Sequence, residues 1–255
     1  MKAGDKKVYI ILVSVHGLIR GHNLELGRDA DTGGQTKYVV ELARALGEHP
    51  DVGRVDLLTR RIVDPSISDD YSQQYERLSD NTQIVRIDCG EESYMPKEQL
   101  WDCLDNFADS VLEYIKEQSE LPSIIHSHYA DAGYVGTRLT HLLGIPLVFT
   151  GHSLGRSKRR QLLAAGFRSE TLEARYNITT RIEAEETTLG VAERVIASTK
   201  QEILEQYATY DHYQPERMHV VPPGTDLRQF HAPEGSENSC TIAAEINRFL
   251  KNPDK

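Results

Sequence analysis

Cysteine is scarce: three in 255 residues, Cys89, Cys103 and Cys240, too few and too scattered for a disulfide framework or a metal knuckle. Long apolar runs are also lacking. The longest, Val8 to Val15, is strand-sized and well short of the roughly 20 residues a membrane helix needs. The start, Met1-Lys2-Ala3-Gly4-Asp5-Lys6-Lys7, is not followed by an apolar stretch ending in small residues, so no secretory signal is read there. Positive charge is outnumbered, with 29 Lys and Arg against 39 Asp and Glu, a net charge of −10. That is the wrong sign for the broad basic surface that grips a nucleic-acid backbone. Hydrophobic residues at 39% and charged residues at 27% are ordinary globular usage, which excludes disordered and fibrous classes. The expectation is a reduced, cytoplasmic protein with no membrane or nucleic-acid partner, large enough for a real hydrophobic core.

Hydrophobic runs alternate with helix-period segments. Val8 to Val15 reads as a buried strand, unbroken rather than alternating. A helix follows from about Gln35, with Tyr38, Val39, Leu42, Ala43 and Leu46 on one face. Val55–Thr59 and Gln83–Asp88 read as strands, and Lys97–Gln118 as one long amphipathic helix. Ile124–His128 is the next strand and Ala130–Leu143 its helix. Pro146–Thr150, Arg194–Ser198 and Met218–Val221 complete the strands. Strands spaced by helices need crossover connections, so the fold class is α/β: a doubly wound, mostly parallel sheet with helices on both faces. One domain is expected over residues 1–230. A tail over residues 231–255 would carry a short helix at Thr241–Leu250 and look like a domain edge.

In such sheets ligands bind beyond the carboxyl ends of the strands, so the loops there carry the functional signal. Gly33-Gly34 opens the first helix after Asp31 and Thr32, which read as caps. Residues without side chains there let backbone N–H groups approach an anion. The sequence matches neither the dinucleotide-binding glycine pattern nor a P-loop. Asp29-Ala30-Asp31 reads as capping rather than as a metal clamp, and no metal is expected. His126 and His128 share one face of a strand, with hydrogen bonding at the strand end as their role. Residues 151–181 hold seven Lys or Arg against two acids, either a solvated basic face or a pocket for a small anion.

Gly151-His152-Ser153-Leu154-Gly155 matches the nucleophile elbow of α/β-hydrolases, with Ser153 as nucleophile and Asp211 with His219, or Asp226 with His231, in the required chain order. Against that, the elbow's helix is normally buried, whereas this one would begin Arg156-Ser157-Lys158-Arg159-Arg160. Glu185 and Glu193 are spaced as in retaining glycosyltransferases. On one helix they diverge by roughly 80°, so the match reads as accidental.

Together the ordered blocks His16-Gly17-Leu18-Ile19-Arg20-Gly21, Asp29 to Thr36, Tyr94-Met95-Pro96-Lys97, His126 to Gly133, Thr150 to Lys158, Arg181 to Glu186 and Pro222 to Asp226 resemble the N-terminal half of the sucrose-phosphate synthases. These are retaining glycosyltransferases of the GT-B type, with two facing Rossmann-like domains. The resemblance implies glucosyl transfer from UDP-glucose to fructose 6-phosphate, giving sucrose 6-phosphate without metal or other cofactor. It implies that Gly33, Gly34 and Gln35 approach the donor diphosphate and the acceptor sugar. Lys97, Lys158 and Arg181 would grip the acceptor phosphate, Asp131 would contact the acceptor, and His152, as the catalytic residue, and Ser153 would lie beside the reacting sugars. It also implies a donor-binding partner domain that this sequence does not include, so the chain alone is expected to bind acceptor and turn over little. The alternatives are a sucrose synthase using free fructose, the Ser153 hydrolase, and a non-catalytic sugar-phosphate-binding module. Ser153 and Gly155 replace the Ala and Glu typical of the sucrose synthases.

Overall fold

A computed structural model describes residues 7–224. The expected boundary near Phe230, the helix at Thr241–Leu250 and the Asp226–His231 pair lie outside the described residues. In chain order the elements are β1 (Val8–Val13), α1 (Gly34–Glu48), β2 (Val52–Arg60), β3 (Tyr75–Arg77), β4 (Thr82–Ile87), α2 (Leu104–Glu117), β5 (Ile124–His128) and α3 (Tyr129–Leu143). They continue with β6 (Leu147–Thr150), α4 (Gly155–Ala164), α5 (Ser169–Tyr176), α6 (Ile178–Val191), β7 (Arg194–Ala197), α7 (Lys200–Glu205) and β8 (Met218–Val220).

The strands form one sheet in the order β3-β4-β2-β1-β5-β6-β7-β8. Every pairing is parallel except β3 on β4. Strand β1 shows how the two faces are made. Ile10 and Leu12 pack with Val39, Val40 and Ala43 of α1, while Tyr9, Ile11 and Val13 enter the opposite core with Phe107 and Val111 of α2 and Val135 of α3. Helices cover both faces, as the sequence pattern requires. Helix α3 approaches closely because Gly133 and Gly136 carry no side chain. A Cβ at Gly136 would sit 2.2 Å from Ser127 Oγ, and one at Gly133 2.7 Å from Thr188 Oγ1.

The chain first adds β2 and its neighbours on one side of β1, then returns to the other side at β5. The crevice beyond the carboxyl ends of β1 and β5 is therefore the switch point where such sheets bind ligands. The long loop after β1 is fixed over it partly by Arg86 of β4, which is 1% exposed. Arg86 donates to the Ile19 carbonyl at 3.0 Å and pairs with Glu76 at 2.5 Å.

Two local expectations need correction. Strand β3 was not anticipated, because Tyr75, Glu76 and Arg77 are too few and too polar to show a period. The single helix expected over Lys97–Gln118 is a 3₁₀ stretch, Lys97–Cys103, followed by α2. Its start is set by tertiary contact: the Lys97 backbone N–H donates to Asp31 Oδ2 at 2.8 Å.

Candidate functional site

A cavity of about 780 Å³ opens beyond the carboxyl ends of β1, β4, β5 and β6. Gly33, Gly34, Gln35, Lys97, His152, Ser153, Lys158 and Arg181 all line it, so eight of the nine expected site residues are brought together. Asp131 is not among them. It is 1% exposed and stands behind the wall, its Oδ2 2.6 Å from Nδ1 of His16, which does line the cavity. Its path to a ligand runs through that imidazole. A second cavity, about 860 Å³, is lined by Trp101, Tyr134, Arg138, His141 and Glu183 and lies away from the strand ends that carry these residues.

The start of α1 forms one wall. The expected caps do not act as caps, since Gly33 is the N-cap and no side chain accepts from the first turn. Asp29 instead organises its own loop, accepting from the Asp31 and Thr32 N–H groups at 2.8 Å each. Burial opposes ionisation of Asp29, but those N–H groups outweigh it and hold the carboxyl below its ordinary value. A Cβ built at Gly33 or Gly34 meets nothing within 4 Å, so protein packing does not demand glycine there. The space beside them is the cavity itself. Gln35 is fixed across the switch point by donating to the His128 carbonyl at 3.3 Å and to Ser14 Oγ at 3.2 Å.

The three cations differ in how their charge is balanced. Lys97 pairs with Asp31 and, at 3.3 Å, with Glu98. Burial alone would lower its pKa, but Asp31 reverses the shift and keeps the ammonium charged. Arg181 is 4% exposed, paired at 3.0 Å with Glu185, donates to the Ser153 carbonyl at 2.6 Å and stacks 4.5 Å from the Tyr129 ring centre. Lys158 has no carboxylate in ion-pair contact among the described residues. Its ammonium lies 3.9 Å from the Tyr176 ring centre, and burial together with the charges of Arg181 and Lys97 lowers its pKa. Among these three, Lys158 holds unspent charge.

Three histidines form a neutral stack, with His152 in the opposite wall and His128 and His126 behind it. His126 accepts from or donates to Thr150 Oγ1 at 2.8 Å, and His128 Nδ1 lies 3.0 Å from His152 Nε2. The rings of His126 and His128 are 4.1 Å apart, and those of His128 and His152 5.3 Å. Burial, then the neighbouring imidazoles, lowers His126 to about 3 and holds His128 well below its ordinary value. Burial and then His16 lower His152 to about 4, so the stack is uncharged at neutral pH. Two of the cavity's wall residues have left-handed backbones, Tyr129 at φ 79° and His152 at φ 56°. Such strain in bulky residues persists where surrounding structure enforces it, commonly at binding sites.

Among the described residues the hydrolase geometry is not present. In a nucleophile elbow the strained residue is the nucleophile; here it is His152, one position early. Ser153 Oγ lies 3.3 Å from Arg181 Nη2, a donor that cannot take its proton. Asp211 is engaged by Arg156 at 2.9 Å, and His219 is exposed on β8. Glu185 and Glu193 do not share a site either, because Glu185 is fully buried and Glu193 exposed. Glu185 accepts from the Gly155 N–H at 2.9 Å and from Tyr210 as well as Arg181. Among the described residues, no group of three or more His, Cys, Asp or Glu is placed to hold a metal ion, and no helix is long and apolar enough to cross a membrane.

Sequence reasoning did not single out Tyr129, Arg175, Tyr176 or Glu98 as cavity residues. Arg175 was visible only as one cation in the basic run. Tyr129 belongs to the strand-end group of His126, His128 and Asp131 that the sequence points to, whereas Tyr176 gave no signal, because its part depends on which side chains the fold stacks on it.

Residues 32–229 match the family described as Glycosyltransferase Family 4. The chain is 43% identical to a probable sucrose-phosphate synthase of Solanum tuberosum, over 98% of its own length and 29% of that protein's. With the sucrose-phosphate synthase of Zea mays it shares 42% identity, over 98% of this chain and 30% of the other. It thus spans under a third of the curated relatives it matches. Among solved structures it superposes on a sucrose-phosphate synthase from Thermosynechococcus elongatus with a TM-score of 0.71 at 27% identity, covering 94% of this chain and 53% of that one. The catalytic domain of starch synthase IV from Arabidopsis thaliana shares the fold, at a TM-score of 0.54 and 12% identity over 91% of this chain and 54% of that one. The sheet matches one Rossmann-like half of a GT-B glycosyltransferase.

Proposed function

Because this chain belongs to Glycosyltransferase Family 4, we propose that it is the acceptor-binding half of a sucrose-phosphate synthase. In this reading it holds fructose 6-phosphate while a donor-binding domain presents UDP-glucose, and glucose is transferred with retention to give sucrose 6-phosphate. The observation that carries the reading is Lys158: a half-buried ammonium with no carboxylate in ion-pair contact among the described residues, in the same cavity as Lys97 and Arg181. An uncompensated charge of this kind is costly unless an anion answers it, and a phosphate dianion does so with strong, short hydrogen bonds.

The other residues take roles that their surroundings support. The uncapped N–H groups of α1, bare of side chains at Gly33 and Gly34, supply a positive pole for the diphosphate that departs from the donor. His152, neutral and held by His128, offers the reacting sugars an imidazole that adds no charge of its own. Ser153 is fixed by Arg181 and serves as a hydrogen-bonding hydroxyl rather than a nucleophile. Asp131 orients the His16 imidazole toward the acceptor. No step needs a metal ion.

Calorimetric titration of the full chain with fructose 6-phosphate and with fructose tests this reading. Tighter binding of the phosphorylated sugar is expected, by about tenfold or more. Lys158→Met should weaken fructose 6-phosphate by about 10- to 100-fold, the range for losing a charge-assisted bond. A preference for unphosphorylated fructose would favour the sucrose synthase reading and overturn this one. Turnover with UDP-glucose and fructose 6-phosphate should be close to nil for the chain alone; substantial turnover would refute its assignment as half of the catalytic unit.

A further inference from the structure

The charge inventory of the cavity does not end with Lys158. Lys97 is balanced by Asp31 and Glu98, and Arg181 by Glu185. Asp29 is occupied by backbone N–H groups. One further cation lines the wall: Arg175, near the end of α5. Both acids of its own helix are committed elsewhere. Glu170 pairs with Arg168 at 3.4 Å, and Glu173 accepts from the N–H and the hydroxyl of Thr179 at 3.1 and 2.7 Å, at the start of α6. Arg175 has no carboxylate in ion-pair contact among the described residues, which makes it the counterpart of Lys158.

The two unbalanced cations share a single aromatic ring. Tyr176 has the Lys158 ammonium 3.9 Å from its ring centre and the Arg175 guanidinium 5.2 Å from it. A ring quadrupole draws each cation individually, yet it brings two like charges close together, which in isolation is unfavourable. The arrangement gains most when a divalent anion lies between them. A sugar phosphate at neutral pH carries close to two negative charges, as any phosphate monoester does. The helix that brings Arg175 is lightly held: Leu172 is its one buried residue, and it is flanked by left-handed positions at Gly166 (φ 90°) and Asn177 (φ 46°). Small adjustments of α5 toward an anion therefore cost little packing.

We propose that Arg175 is a further acceptor-recognition residue: with Lys158, and on the shared platform of Tyr176, it forms a two-cation clamp for the phosphate of the hexose phosphate. The proposal rests on the acceptor reading above and adds to it a determinant of phosphorylated over unphosphorylated sugar. The guanidinium contributes what an ammonium does not, a planar fork able to take two phosphate oxygens at once.

Titration of the full chain and of Arg175→Gln with fructose 6-phosphate and with fructose tests the clamp. Arg175 is exposed, so Arg175→Gln should melt with the parent chain. It should bind fructose 6-phosphate about tenfold more weakly and leave fructose unchanged. Arg175→Lys should recover only part of the loss. If the parent chain prefers the phosphorylated sugar and Arg175→Gln binds it within twofold of the parent, the clamp is overturned while the acceptor reading stands. An equal loss for both sugars also overturns it, since the phosphate would not be what Arg175 meets. A parent chain indifferent to the phosphate overturns the acceptor reading and the clamp together.

Discussion

Acid should unfold this protein through its histidine stack, at a pH where its lowered carboxylates are still ionised. His126, His128 and His152 are neutral in the fold, with His126 lowered to about 3, His152 to about 4 and His128 well below its ordinary value. Each returns to about 6.5 in the unfolded chain. A lowered histidine contributes its full stability above the unfolded value and loses it as pH falls toward the folded one. At pH 5 the loss is set by the distance from 6.5, whatever the folded value below 5. One and a half pH units at 1.36 kcal/mol per unit give about 2 kcal/mol for each histidine. Three such groups acting independently would remove about 6 kcal/mol, comparable with the whole stability of an ordinary domain. The lowered carboxylates, such as Asp29 and Glu76, act only below about pH 4.5, outside this window. Glu185, pushed up by burial, works in the opposite direction and blunts the loss. A difference measurement removes that complication. Urea unfolding of the parent and of His126→Gln, followed by Trp101 fluorescence at pH 7.5, 6 and 5, should show the variant losing about 2 kcal/mol less over the range. Parallel stability curves for the two proteins would refute the reasoning.

Two further outcomes follow from the site. Gly34→Val adds a side chain where no protein atom lies within 4 Å of the Cβ, so the melting temperature should hold while fructose 6-phosphate affinity falls about tenfold or more as the side chain fills the cavity. A substantial fall in melting temperature would show instead that packing requires the glycine. Glu185→Gln leaves Arg181 buried without its counter-charge and should cost about 3–5 kcal/mol in denaturant unfolding; a loss under about 1 kcal/mol would show that Arg181 does not depend on that carboxylate.

The layers of the fold were legible because β1 and its partners are buried on both faces and read as apolar runs. Ile124–His128 was placed to the residue. Short pieces were not legible: three polar residues in β3 have no period, and the 3₁₀ turn at Lys97 is imposed by Asp31, which lies 66 positions away in sequence. The site divides in the same way. Lys97, Lys158 and Arg181 could be named from their blocks of sequence, but which of them is free depends on long-range pairings that no local pattern records. Asp31 was read as a helix cap and is in fact the partner of Lys97.

Two of the helix starts beside the cavity, those of α1 and α4, are not equivalent. That of α4 is already stoppered from within, its first N–H committed to a carboxylate of α6, whereas that of α1 stands open. An anion arriving in the crevice would thus meet bare backbone N–H groups at α1 but, at α4, N–H groups of Gly155 and Arg156 that are already engaged. On the proposed reading, the donor diphosphate would take the backbone pole of α1 and leave the acceptor phosphate to the side chains.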